Sequence, residues 1–212
     1  MKTYCAKVSP CGRFVATSGF TPDVKLWEVK FTRTGEFEKV QRAFELTGHT
    51  SGVFQFDFNA DSSRMATISK DGTWKVFNTN VEFNKGQDPE VVFTGRYGFE
   101  ADEIRTKIAL SADGTVVAIG HDKTIRFHSA KSGDEIGRLD DVHSQAITRI
   151  HFDSSGKYFV SSGDRHVRVF HNVVGYRMTL DDLKDKLKRA PKKEVVQEQI
   201  AALEATLKDI LG

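Results

Sequence analysis

Apolar and polar side chains alternate with a period of two along most of residues 3–172, and the stretch from 48 to 78 shows the unit most fully. Phe54, Phe56 and Phe58 alternate with Val53, Gln55 and Asp57. A polar turn at Asn59, Ala60, Asp61 and Ser62 follows, then an apolar run at 65–69, a tight Lys70-Asp71-Gly72 turn, and a third alternating run at 73–77. A period of two sends successive side chains to opposite faces of a strand, so these runs predict an antiparallel meander with short turns.

The unit recurs. Val8, Phe58, Leu110 and Phe152 each end an apolar run before a polar turn, and 18 or 19 residues later stand Trp27, Phe77, His128 and Phe170. Those closing positions lie 50, 51 and 42 residues apart. Constant inner spacing with variable outer spacing predicts fixed blades and variable connections. The units cover about residues 3–29, 40–78, 91–129 and 139–172. Outer strands are expected at 43–46 and 91–93, each ahead of the unit it serves, which leaves the first unit without one. Residues 30–38 read as a polar hairpin and 97–105 as a surface loop.

After Gly175 the period becomes helical, and residues 176–212 form a tail distinct from the β region at 1–175. Thr179 with Asp182 reads as an N-cap with an acid in the first turn. Leu180, Leu183 and Leu187 share one helix face. Pro191 ends that helix and can open the next, in which Val196, Ile200, Leu203, Leu207 and Ile210 form a short heptad seam. The tail is a helical hairpin packed on itself or on the sheets, or a partner-binding coiled coil.

Within the second unit, His49 calls for partners, because an unpaired polar group buried in a sheet costs about 1–3 kcal/mol. Asp71 in the turn can accept its proton, Ser69 can bridge, and Phe77 closes the group without a donor. The matching set in the fourth unit is His143, Ser161 or Ser162, Asp164 and Phe170. The third unit carries Asp122 in its turn and His128 at its closing position. His121 and His128 read as a turn histidine and an outward strand histidine, since no further ligands converge with them.

Composition narrows the function classes. Charges nearly balance, at a net +2, which argues neither for nor against nucleic acid. The two cysteines, Cys5 and Cys11, are too few for a disulfide scaffold. No apolar run reaches the roughly 18–20 residues that span a bilayer, and no signal peptide opens the chain. No phosphate loop, nucleophile elbow or zinc-ligand pair is present, so no enzyme class, cofactor or metal is indicated.

The Gly48-His49 opening, with Asp71 six residues before a closing aromatic, resembles the WD40 repeat, one blade of a β-propeller. The stretches SPCGRFVATSGF, SRMATISKDGTWKVFNTNVEF with its later QDP, GDRHVRVFHN and LKRA are similar to the C-terminal half of an endoplasmic-reticulum-associated WD40 family. That resemblance implies an all-β fold, a partial propeller of about four blades out of seven, followed by an α-helical tail. It also implies a non-catalytic scaffold of the stress response on the cytosolic face of the endoplasmic reticulum. The implied partner is the stress-sensing kinase that phosphorylates an initiation factor, with RNA or ribosome contact besides. Membrane attachment in that family runs through an N-terminal hydrophobic anchor, which this chain does not carry; the chain reads as a fragment that is cytoplasmic by itself.

Two functional readings follow. Lys70, Lys123 and Arg165, with His166 beside it, stand at the turn acids and can hold an acidic or phosphorylated protein segment if they share a face. The alternative is an RNA- or ribosome-associated protein in translation control, using the same turns, the lysine-rich first tail helix and an outward Trp74.

Overall fold

The computed structural model describes residues 2–100, 102, 105–189 and 193–212. Its β region is four antiparallel sheets, each a meander in chain order. Blade 1 holds β1 (Thr3–Val8), β2 (Phe14–Gly19), β3 (Val24–Phe31) and β4 (Phe37–Leu46). Blade 2 holds β5 (Val53–Phe58), β6 (Arg64–Ser69), β7 (Thr73–Asn78) and β8 (Glu90–Arg96). Blade 3 holds β9 (Thr106–Leu110), β10 (Val116–His121), β11 (Thr124–Ser129) and β12 (Glu135–Leu139). Blade 4 holds β13 (Arg149–Phe152), β14 (Tyr158–Gly163) and β15 (His166–His171). The helices α1 (Val173–Arg189) and α2 (Glu194–Leu211) follow.

The turn between the first two strands is the same object in all four blades. The N–H of its sixth residue donates to the side chain of its first: Phe14 to Ser9 Oγ, Arg64 to Asn59 Oδ1, Val116 to Ser111 Oγ, Tyr158 to Asp153 Oδ1. Its fourth residue takes positive φ, at Gly12, Ser62, Gly114 and Gly156. Ser62 bears that conformation without being glycine, and its hydroxyl accepts from the Cys11 N–H of blade 1 at 3.1 Å. Short polar side chains suit the first position because they can fold back onto a backbone N–H.

Strand alternation gives blades 2 and 3 two buried faces, whereas blades 1 and 4 each bury one and leave apolar residues such as Val8, Val167 and Val169 exposed on the other. One face of blade 2 (Phe56, Phe58, Met65, Phe77) packs on Leu26, Phe44 and Leu46 of blade 1. The other (Phe54, Ile68, Trp74, Val76) packs on Ile108, Leu110 and Ile119 of blade 3. Blade 3 in turn meets Ile150, Phe152 and Phe159 of blade 4 through Val116, Ile125 and Phe127. Inner strands are tied as well. Gln55 Oε1 accepts from the Ile108 N–H and Asp57 Oδ2 from the Leu110 N–H, both at 3.0 Å, so side chains of β5 satisfy part of the exposed edge of β9.

Several expectations are corrected. The outer strand ahead of each unit completes the blade before it: β4 pairs with β3, β8 with β7 and β12 with β11. A local hairpin explains the first case, since Thr32 N–H reaches Glu36 O at 2.8 Å and Gly35 turns the chain at φ 86°. Blade 1 is therefore four-stranded, and blade 4 is the three-stranded one among the described residues. The stretch after β8 is not simply a surface loop: Tyr97 is buried and its hydroxyl donates to Ser69 O at 2.7 Å. Ala101, Glu103 and Ile104 of that loop lie outside the described residues. Trp74 does not face outward. It is buried between Phe93 and His128, with ring centroids 5.2 and 5.4 Å away.

The first helix starts at Val173, earlier than the helical period suggested, because Asn172 caps it through Oδ1 to the Gly175 N–H at 3.0 Å. Thr179 is thus internal, its hydroxyl donating to Gly175 O. The proposed break at Pro191 lies outside the described residues, as do Ala190 and Lys192. The two helices pack on each other, joined by Lys184–Glu204 at 3.0 Å, while Val174 and Met178 seat α1 on the blade 3–blade 4 core.

Asp57 joins three blades, because its Oδ1 also accepts from Lys7 Nζ of β1 at 2.7 Å. Asp57→Ala should cost about 1–3 kcal/mol by orphaning the Leu110 N–H and a half-buried ammonium. Asp57→Asn keeps the acceptor and should lose clearly less. Urea unfolding of both variants checks this; equal losses would show that the bond to Leu110 does not matter.

Candidate functional site

Because strands run antiparallel, the turn between the second and third strands of a blade lies beside the start of its first strand. The register shows it: Ser69 pairs with Val53, His121 with Thr106 and Ser162 with Arg149. The outer-to-inner connection enters at the same end, so this face carries the turn acids, their histidines and the neighbouring bases.

In blade 2 the His49 Nδ1–H donates to Asp71 Oδ2 at 2.9 Å, and Nε2 accepts from the Thr67 hydroxyl at 2.8 Å. The carboxylate also accepts from the Thr50 and Thr73 N–H groups, both at 2.9 Å, and from the Thr73 hydroxyl at 2.6 Å. Thr67, not Ser69, bridges the imidazole. With Nδ1 committed to the turn, Nε2 points further along the sheet, past the level of Ser69. The Ser69 hydroxyl bonds the Ser51 and Gly52 carbonyls instead, both at 3.0 Å. Blade 4 has the shorter two-residue turn, Asp164 and Arg165, both at positive φ, which brings Ser161 level with the ring. There His143 Nδ1–H donates to Asp164 Oδ1 at 2.7 Å and Nε2 accepts from Ser161 Oγ at 2.9 Å. Phe77 is buried in the blade 1–blade 2 core and Phe170 packs beside Phe159; neither adds a hydrogen bond to its group.

Burial pushes the His49 imidazole below its ordinary value, against the pull of Asp71, so it stays neutral. Burial pushes the Asp71 carboxyl up, but the Thr73 hydroxyl, the Thr50 N–H and His49 outweigh it and hold the carboxyl at about 2. The Ser144 N–H, with His143 and Arg168, holds Asp164 well below the carboxylate range. These imidazoles have both nitrogens occupied by hydrogen bonds.

Blades 1 and 3 lack this strut. Ser18 Oγ of blade 1 is buried without a partner among the described residues. In blade 3 the His121 ring stacks on Phe99 at 4.1 Å and meets Thr106 Oγ1 at 3.3 Å. His128 is buried rather than outward, its Nδ1 bonded to Gly133 O at 3.2 Å. Strand parity alone could not separate a buried from a solvated face there. No group of three or more potential metal ligands occurs among the described residues.

Lys70, Lys123 and Arg165 stand on this face, and no side-chain hydrogen bond or ion pair engages them among the described residues. His166 is largely exposed but tied to its own turn, donating to Asp164 O at 2.9 Å. Sequence reasoning missed Thr67, Thr50 and Thr73 as partners of the strut, and Arg126, which shares a cavity of about 310 Å³ with Lys123, Asp122 and Asp141.

Repeated four-stranded meanders with a buried His–hydroxyl–Asp strut define a WD40-type repeat, and the family model described as WD domain, G-beta repeat matches residues 40–78 and 135–171; the chain carries WD40 repeats. Those segments follow the sequence repeat, each beginning with a strand of the preceding blade. Along nearly its whole length the chain is similar to Transducin beta-like protein 2: 44% identical to the Homo sapiens protein over 97% of this chain and 46% of that protein. The Mus musculus protein is 43% identical over 97% of this chain and 47% of its own length. The U3 small nucleolar RNA-associated protein 15 homolog of Xenopus laevis is 26% identical over 62% of this chain and 24% of that protein. The chain spans about half the length of the first two relatives. No helix among the described residues is long and apolar enough to cross a membrane.

The titration of the strut has a definite sign. Unfolded His49 would protonate near pH 6.5, whereas the folded ring resists, so its contribution is present above about 6.5 and is lost as pH falls below it. The Asp71 contribution is present above about 3.9 and is lost as pH falls toward the folded value. His49→Gln should therefore remove the upper component of acid destabilisation and Asp71→Asn the lower one. Unfolding midpoints measured from pH 8 to 2 check this; curves parallel to the unmodified chain would contradict it.

Proposed function

We propose that the chain is a non-catalytic interaction scaffold that holds an acidic or phosphorylated protein segment across its second-to-third-strand turns. The observation that carries this is the set of Lys70, Lys123 and Arg165, in equivalent turns of three consecutive blades and unengaged by side-chain partners among the described residues. Arg165 supports it further. It sits at φ 64°, a conformation that glycine, asparagine or aspartate adopts more easily, so a cation is kept there at some conformational expense. Charge-assisted bonds from such turns suit carboxylates and phosphates.

The resemblance of the sequence to an endoplasmic-reticulum-associated WD40 family is the support for the finer reading, a scaffold at the cytosolic face of the endoplasmic reticulum with the stress-sensing initiation-factor kinase as its partner. The alternative is RNA or ribosome binding. A relative named for association with U3 small nucleolar RNA favours it, as do Phe31 and Phe37, paired across the protruding β3–β4 hairpin and exposed by 55% and 62%. Burial of Trp74 removes the stacking side chain that the turn face was expected to offer.

Joint reversal of Lys70, Lys123 and Arg165 to glutamate should weaken capture of the phosphorylated kinase while thermal unfolding stays nearly unchanged. Capture equal to the unmodified chain would remove the basic face from the account. Binding of single-stranded RNA that falls steeply with salt, with no binding of the kinase, would favour the alternative.

A further inference from the structure

The outer part of the gap between blades 3 and 4 is not filled. A cavity of about 350 Å³ lies there, between β11 and β12 on one side, β14 and β15 on the other, and the two tail helices. Phe127 and Phe159 are buried and form its floor. Ile136, Leu139, Phe170 and Ile210 form apolar walls. Helix α1 starts directly after β15 and packs Val174 against Gly137 of β12, where an added Cβ would meet it at 3.3 Å. The helix thus crosses from blade 4 to blade 3 over the gap, and α2 sets its last turn beside it.

The mouth is cationic. Arg138, His171 and Arg177 are exposed there, and no carboxylate lines the cavity. Arg138 is already paired with Asp140 at 2.8 Å. Asn172 is buried and uses both ends of its amide, on the Gly175 N–H and the Gly156 carbonyl. Arg177 has no hydrogen bond or ion pair among the described residues, and Asp181, one turn along α1, does not engage it. One uncompensated guanidinium therefore stands over an apolar hollow.

We propose that this cavity binds an aliphatic monocarboxylate, its chain on Phe127 and Phe159 and its carboxylate on the Arg177 guanidinium. The site lies on the rim and does not depend on the scaffold reading of the turn face. A planar guanidinium meets a carboxylate with two parallel bonds. Apolar walls with one placed charge are the usual make-up of a small-molecule site, and such sites span roughly 300–1,000 Å³. A volume near the lower bound suits a chain of medium length. A polyanion such as a nucleotide finds no second free guanidinium or ammonium at the mouth. The competing occupant is an extended protein segment paired with β15, whose outer edge is open among the described residues. Such a segment has to pass the start of α1 where it crosses to Gly137, whereas an alkyl chain needs only the mouth.

The test is calorimetric titration of the full chain with octanoate, decanoate and decanol, all below micellar concentration, and with a valine–threonine hexapeptide as a strand probe. Decanoate should bind and octanoate should bind roughly fifteenfold more weakly, since each buried methylene contributes about fourfold. Decanoate should also raise the midpoint of thermal unfolding. Arg177→Gln should weaken decanoate binding about tenfold and leave decanol binding unchanged. Ile210→Trp fills the hollow from the helix side and should remove binding of both. If that variant unfolds, the comparison at the exposed Arg177 still decides. No binding of decanoate by the folded chain, equal affinity for octanoate and decanoate, or decanoate binding indifferent to Arg177→Gln would overturn the proposal. Binding of the hexapeptide without binding of decanoate would assign the gap to a protein segment and overturn it as well.

Discussion

A buried imidazole bonded to a turn carboxylate fixes the turn face of blades 2 and 4. In blade 2, His49 fastens the connection that enters the blade to the turn that leaves its second strand, and Asp71 gathers three further donors around the same point. The fastening places Lys70 beside a fixed carboxylate and fixes where β5 begins. Blade 4 repeats the device with His143, Ser161 and Asp164. Neutral imidazole is what the geometry requires: a protonated ring would have no acceptor role for Nε2 toward the Thr67 hydroxyl.

The rest follows from the fact that a four-stranded sheet with two apolar faces cannot be stable alone. Blades 2 and 3 are buried on both faces by their neighbours and blades 1 and 4 on one, and the blade interfaces are filled mainly by phenylalanine and branched aliphatic side chains. The same stacking aligns all inner strands at one end, so bases spaced about fifty residues apart in the chain come to one face. In the proposed reading, function depends on which charges that face carries.

Much of this was legible in the sequence because a period of two and recurring polar turns survive in every unit. The meanders, Asp71 and Asp164 as acceptors of His49 and His143, and the change to helix all follow from local pattern. Thr67 did not, because the bridging hydroxyl depends on the length of the turn: Thr67 stands four positions before Asp71, but Ser161 stands three before Asp164. The pairing of β4 with β3 was also hidden, since a strand lying between two units reads equally well with either. His128 and Trp74 were misplaced for a related reason. Alternation tells which residues share a face, but in blades 2 and 3 both faces are covered.

The central claim is that binding takes place on one face, the one where second-to-third-strand turns and inner-strand starts meet. Hydrogen exchange of the chain with and without a phosphorylated segment of the proposed partner kinase tests it directly. The account predicts joint protection of residues 70–73, 121–124 and 163–166, and none at the opposite turns 59–63 and 111–115. Protection confined to those opposite turns or to the helical tail would contradict it.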